Sequence, residues 1–149
     1  SIETAYGWAA QILQETYNTL EAQGAAPCES ALNLGVTAAG LNELVLASAN
    51  FEKAFACLTD ERRAITAVHW ADTLVRTGQS DQALSLLNDV ELQFPDHFDT
   101  KWAKARTLAR MNRAAEARPL YEALLANPNV SAEGKAQLEA ERRGLPKPG

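Results

Sequence analysis

This sequence lacks, first of all, any spaced metal or catalytic signature. Its only soft ligands are two histidines, His69 and His97, and two cysteines, Cys28 and Cys57. None stands in a C-x2-C or H-E-x-x-H spacing, so no metal site is expected. The run Asp96-His97-Phe98-Asp99 follows Pro95, where a turn and a helix start are expected in any case. Phosphate-cradling glycine patterns of the G-x-x-x-x-G-K-S/T and G-x-G-x-x-G types are missing, and no cofactor is expected. No nucleophile elbow or oxyanion-hole pattern accompanies a cysteine or histidine, so the chain is not expected to be an enzyme. Long apolar runs are also missing, and nothing approaches the roughly 18 residues of a membrane span. Positive charge is scarce: the net charge is −5, which argues against general nucleic-acid binding.

What is present favours helix. Hydrophobic residues make up 46% of the 149 positions, ordinary for a globular chain long enough to bury a core. Alanine, leucine, glutamate and glutamine dominate, while glycine and proline are confined to a few points. The chain opens on Ser1 rather than Met, as expected of a processed or trimmed chain, and a lost targeting segment stays open. From Ile2 to Ala22, Tyr6, Ala10, Leu13, Tyr17 and Leu20 recur at spacings of four and three, one stripe of an amphipathic helix widened by Trp8 and Ile12. That helix is expected to cap whatever follows, or to form the seam of a homodimer or an attachment to a missing upstream segment. Gly24 and Pro27 then break it.

An apolar, alanine-rich helix is expected from Glu29 to Ser48, with Gly35 and Gly40 inside it. Asn50 reads as the N-cap of the next helix, followed by Phe51, Ala54, Phe55 and Leu58 at i, i+3, i+4, i+7. Asp60 and Ser80 are expected to cap the two helices after that, the first carrying Ala67, Trp70, Ala71 and Leu74 and the second running from Asp81 to Gln93. Another pair is expected over Asp99–Met111 and Arg113–Ala126, with Pro119 removing one hydrogen bond from the second. Ser131 starts a last, mostly polar helix to Arg143, and residues 144–149 read as a loose tail.

The organising feature is a repeat of 34 residues. Gly78 maps on Asn112, Ala83 on Ala117, Leu87 on Tyr121 and Val90 on Leu124, and the closing Pro95 has its counterpart one residue early at Pro128. With Trp70, Ala71 and Leu74 ahead of Ala83-x3-Leu87 and Pro95, residues 64–128 resemble the tetratricopeptide repeat (TPR) family. The resemblance implies an all-α superhelix of about three helical hairpins, with an N-terminal helix and a C-terminal capping helix. As one domain it divides into 1–27 (helix and linker), 28–60 (a degenerate repeat), 61–96 and 97–129 (two repeats), 130–144 (the capping helix) and 145–149 (tail). Ala54 stands in the place of Ala83 in the degenerate repeat, an interval of only 29 residues, so a short second helix is expected there.

In that family the first helix of each hairpin lines a concave groove that holds a partner peptide. In register, the resemblance turns Ile65, Val68, His69, Asp72 and Arg76 toward the groove from one repeat, and Asp99, Trp102, Arg106 and Arg110 from the next. Lys101 to Arg118 holds six basic residues against one acid, Glu116, and Arg106, Arg110 and Arg113 form one stripe. Two readings stay open: a groove for an acidic peptide with Trp102 as apolar anchor, or a solvated face with Trp102 in the core. The implied function is a non-catalytic adaptor or assembly factor in a bacterial envelope or secretion system. An interaction domain of a larger enzyme or sensor is the alternative, and a small helical hydrolase or metal-binding protein stands behind it. Cys28 and Cys57 could meet across the first hairpin. Paired, they imply the periplasm; unpaired, the cytoplasm.

Overall fold

Among the described residues of the computed structural model, eight helices follow one another: α1 (Ile2–Ala22), α2 (Cys28–Gly40), α3 (Leu44–Cys57), α4 (Glu61–Arg76), α5 (Ser80–Gln93), α6 (Phe98–Arg110), α7 (Ala114–Leu125) and α8 (Ala132–Arg143). The structure describes residues 2–22 and 28–148, without the side chains of residues 2–6, 10, 17, 20 and 21, so the expected stripe residues Tyr6, Ala10, Tyr17 and Leu20 lie outside it. The described residues are all-helical, with no strand among them, and none of their helices is long and apolar enough to cross a membrane.

Three connections share one backbone device. Among the described residues, Asn42, Gly78 and Asn112 have positive φ, at 61°, 79° and 59°. At each, the amide of the next residue bonds back five residues: Glu43 to Ala38, Gln79 to Leu74 and Arg113 to Leu108, at 2.9, 2.7 and 2.9 Å. The left-handed residue itself bonds back three, to Ala39, Val75 and Ala109. This is the Schellman closure, which satisfies the last carbonyls of a helix and turns the chain sharply. It ends α2, α4 and α6, and each then packs on its successor to make a hairpin. In addition α3 packs on α4, α5 on α6, and α4 directly on α6. Glycine takes the left-handed region without strain, so Gly78→Ala is expected to cost about 1 kcal/mol in urea unfolding. Asn112→Gly, at the equivalent turn, is expected to be neutral or slightly stabilising.

The turns correct the register of the first hairpin. Positions 42, 78 and 112 are 36 and 34 apart, so Ala47, not Ala54, is the counterpart of Ala83 and Ala117. All three alanines are fully buried, and so is the series Phe51, Leu87 and Tyr121 that follows them. The expected interval of 29 and the expected short helix are therefore wrong. Helix α3 has 14 residues, as many as α5. Asn50 is not an N-cap: it lies buried inside α3, where its amide donates to Gln14 on α1 and to the Leu46 carbonyl. The helix expected to run on to Ser48 stops at Gly40.

Other caps divide. Asp60 accepts the Arg62 amide and Ser131 accepts the Gly134 amide, both as expected. Ser80 is already helical, because the residue closing the preceding turn, Gln79, also starts α5. His97 caps α6, its Nδ1 accepting from the Thr100 amide at 3.2 Å. Helix α7 runs through Pro119 without interruption. The expected loose tail is not loose over its first half: Leu145 is buried with Leu138 and Tyr121, and the Pro146 carbonyl accepts from Arg118 at 2.7 Å. At the other end, Cys28 and Cys57 lie at disulfide distance, with Cα atoms 5.7 Å apart, joining the start of α2 to the end of α3.

Candidate functional site

On α6, Trp102, Arg106 and Arg110 recur every four residues and share one face. On α4, His69, Asp72 and Arg76 recur at three and four. Because α4 packs on α6, these faces border a common cleft, with a cavity of about 690 Å³ between them. Four of the seven expected site residues line it: His69, Asp72, Arg106 and Arg110. Val68, Val75, Ala103 and Ala109 supply apolar walls, and one end is bounded by Glu141 and residues 144–146.

The other three expected residues are placed elsewhere. Arg76 points back toward the first hairpin, where it donates to Asn42 Oδ1 at 3.0 Å, and it pairs with Asp72 at 3.7 Å. Asp99 is exposed in the first turn of α6 and does not line the cavity. Trp102 is half-buried, edge-on to Phe98 with ring centres 5.9 Å apart. Its indole N–H is directed to Glu141 at 3.0 Å.

Glu141 was not among the expected site residues. Its Oε1 accepts from Trp102, from Arg106 Nε at 2.8 Å and from the Tyr121 hydroxyl at 3.0 Å, while Oε2 accepts from Arg106 at 2.9 Å. The Arg106 guanidinium also lies 4.6 Å from the centre of the Trp102 ring, within cation–π range. Tyr121 could have signalled this. It puts a hydroxyl at a fully buried repeat position where Leu87 has none, and a buried phenol needs a partner. No such signal marked Glu141 itself, one of several acids on a polar helix.

Electrostatics at the cleft follow from this pairing. Burial raises the Glu141 carboxyl, but hydrogen bonds from Arg106 and Trp102 outweigh it, so the group sits below the ordinary value of 4.5. A carboxyl lowered in the folded state adds stability at neutral pH, and that stability is lost as pH falls below about 4.5 through the lower folded value. Glu141→Gln is therefore expected to be less stable than native protein at pH 7, by roughly 1–3 kcal/mol, with the gap closing at pH 3. Urea midpoints at pH 7, 5 and 3 check this. A gap that stays constant would mean that the charge on Glu141 contributes nothing.

Burial also raises the Tyr121 hydroxyl, and the neighbouring Glu141 carboxylate adds to it, so Tyr121 stays a neutral donor. Desolvation lowers His69, against the opposite pull of Asp72 and Asp99, and its ring stacks on Phe51 at 6.1 Å. His69 is thus neutral at pH 7. Along the rest of the basic stripe, Arg113 pairs with Glu116 and Lys104 with Glu91. Arg110, an exposed residue in the last turn of α6, makes no hydrogen bond or ion pair among the described residues. Compared with known family models, curated proteins and solved structures, the chain matches none of them.

Proposed function

We propose that the chain is a TPR-like interaction module: a superhelix of about three hairpins, closed by α1 and α8, that holds a segment of a partner protein in the cleft between α4 and α6. The observation that carries this reading is the cavity of about 690 Å³ on the shared face of those two helices, with apolar walls and charged rims. A concave site of several hundred Å³ that combines apolar side chains with placed polar groups is a common place for recognition. Supporting it, the same closure recurs at Asn42, Gly78 and Asn112, and the first helices of the second and third hairpins pack directly on each other. Its role is that of a non-catalytic adaptor or assembly factor. The proximity of Cys28 and Cys57 favours an oxidising compartment, and a bacterial envelope or secretion assembly is the setting that fits.

The test is affinity capture from lysate with the full chain and with Arg110→Glu. Arg110 itself takes no part in the Arg106–Glu141 pairing, and circular dichroism checks that the variant stays folded. A partner held by the native chain and lost by the folded variant supports the cleft. A partner held equally by both puts docking on another face.

A further inference from the structure

Charge bookkeeping around the cleft narrows what fits there, and this step rests on the docking reading above. Asp72 is paired with Arg76, and Arg106 is paired with Glu141. The desolvated imidazole of His69 is neutral at pH 7. Of the charged groups lining the cavity, Arg110 alone is left without an ionic partner among the described residues. A cation at the end of α6 also favours the helix dipole, but that role asks only for a solvated side chain and not for one on the rim of a cavity. The apolar part of the lining is formed by Val68, Val75, Ala103 and Ala109 with Leu145.

One turn before Arg110, on the same face, Arg106 already grips a glutamate side chain through both carboxylate oxygens, and that glutamate is presented by a helix, α8. Helix α6 therefore carries two guanidinium groups at i and i+4, one engaged by an internal helical glutamate and one open. Forked guanidinium groups suit carboxylates in this geometry.

We propose that Arg110 is the recognition cation of the cleft. Its occupant is a partner helix that carries one glutamate or aspartate side chain within an apolar face, the apolar residues lying on Val68, Val75, Ala103 and Ala109. The ligand brings a single negative charge, because one cation is uncompensated. Further acids on the segment would find no second unpaired cation among the described residues lining the cavity.

The test uses the full chain and end-capped, fluorescein-labelled amphipathic helices that share one apolar face and differ at one position, Glu, Gln or Lys, read by fluorescence anisotropy. An uncapped Gln peptide with a free C-terminal carboxylate, and dodecanoate as competitor, cover the other sources of one negative charge. The native chain is expected to bind the Glu peptide about tenfold more tightly than the Gln peptide, the size of one charged hydrogen bond. Arg110→Glu is expected to reverse the preference toward Lys. If Glu, Gln and Lys peptides bind the native chain alike, Arg110 does not select the ligand: the inference falls and the docking reading stands. If only the uncapped peptide or dodecanoate binds, the commitment to a side-chain carboxylate is overturned. If nothing in the panel binds, the inference falls, and the docking reading falls with it only when lysate capture is also blank.

Discussion

Removing the Cys28–Cys57 link is expected to lower the melting temperature by roughly 10 °C, the largest single loss anticipated for a change outside the apolar core. The two residues are 29 apart in sequence, and closing a loop of that length stabilises by roughly 3–4 kcal/mol, mainly by restricting the unfolded chain. For a domain of this size each kcal/mol shifts the melting temperature by a few degrees. The link ties the first turn of α2 to the last turn of α3, so it holds the hairpin whose core is Ala31, Leu32, Leu34, Ala38, Ala47, Phe51, Ala54 and Leu58. Four of those eight are alanines, against two of seven in the cluster around Tyr121, so the link supports the hairpin with more small side chains in its core. Cys28→Ser/Cys57→Ser and native protein in reductant should melt together, and the double variant should ignore reductant. Hydrogen exchange should accelerate over residues 28–57 more than over 98–125. If the native protein contains two titratable thiols and its melting ignores reductant, the link is not formed. The case for an oxidising compartment then goes with it.

The parts of the fold that were legible in the sequence are those where a local rule and the packing agree. Ala83, Leu87 and Val90 and their counterparts Ala117, Tyr121 and Leu124 stand at helical spacing, and all six are buried. Asp60 and Ser131 are capping residues ahead of helices and do cap them. The first hairpin was misread because local signals there point the wrong way. Asn50, a common N-cap, precedes an apolar run at helical spacing, yet its amide is spent on Gln14 of another helix, 36 residues away. The turn at Asn42 has no glycine at its left-handed position, so nothing in the local sequence marks it as Gly78 marks the next one.

The site was legible in half. Helical spacing puts His69, Asp72, Arg106 and Arg110 on the faces that line the cavity. Periodicity carries no record of Glu141, which reaches Trp102 from 39 residues away. That one carboxylate turns Trp102 and Arg106 from expected groove residues into an internally paired set.

The same register predicts a compensating pair in the core. Shifting by the turn intervals aligns Gly35 with Ala71 and Ala105, and Phe51 with Leu87 and Tyr121. Where the second hairpin sets alanine with leucine, the first sets glycine with phenylalanine. A Cβ added at Gly35 would stand 2.6 Å from two carbons of the Phe51 ring, closer than packing allows, and that ring is fully buried. Gly35→Ala gains up to about 1 kcal/mol of helix propensity but overpacks the core by a typical 1–3 kcal/mol, so a net loss is expected. Phe51→Leu alone leaves a void against Gly35 and is expected to cost roughly 1–3 kcal/mol. Combined, the two changes recreate the alanine–leucine pair of the second hairpin. The double variant should be at least as stable as the better single variant, with a coupling energy of roughly 1–3 kcal/mol in a double-mutant cycle. Urea unfolding of the four proteins measures it. Strictly additive losses would mean that Gly35 and Phe51 do not meet, and would return the register of the first hairpin to question. Rescue by a pair copied from 36 residues further on would tie the two hairpins to one packing plan, since nothing else in the sequence relates those four positions.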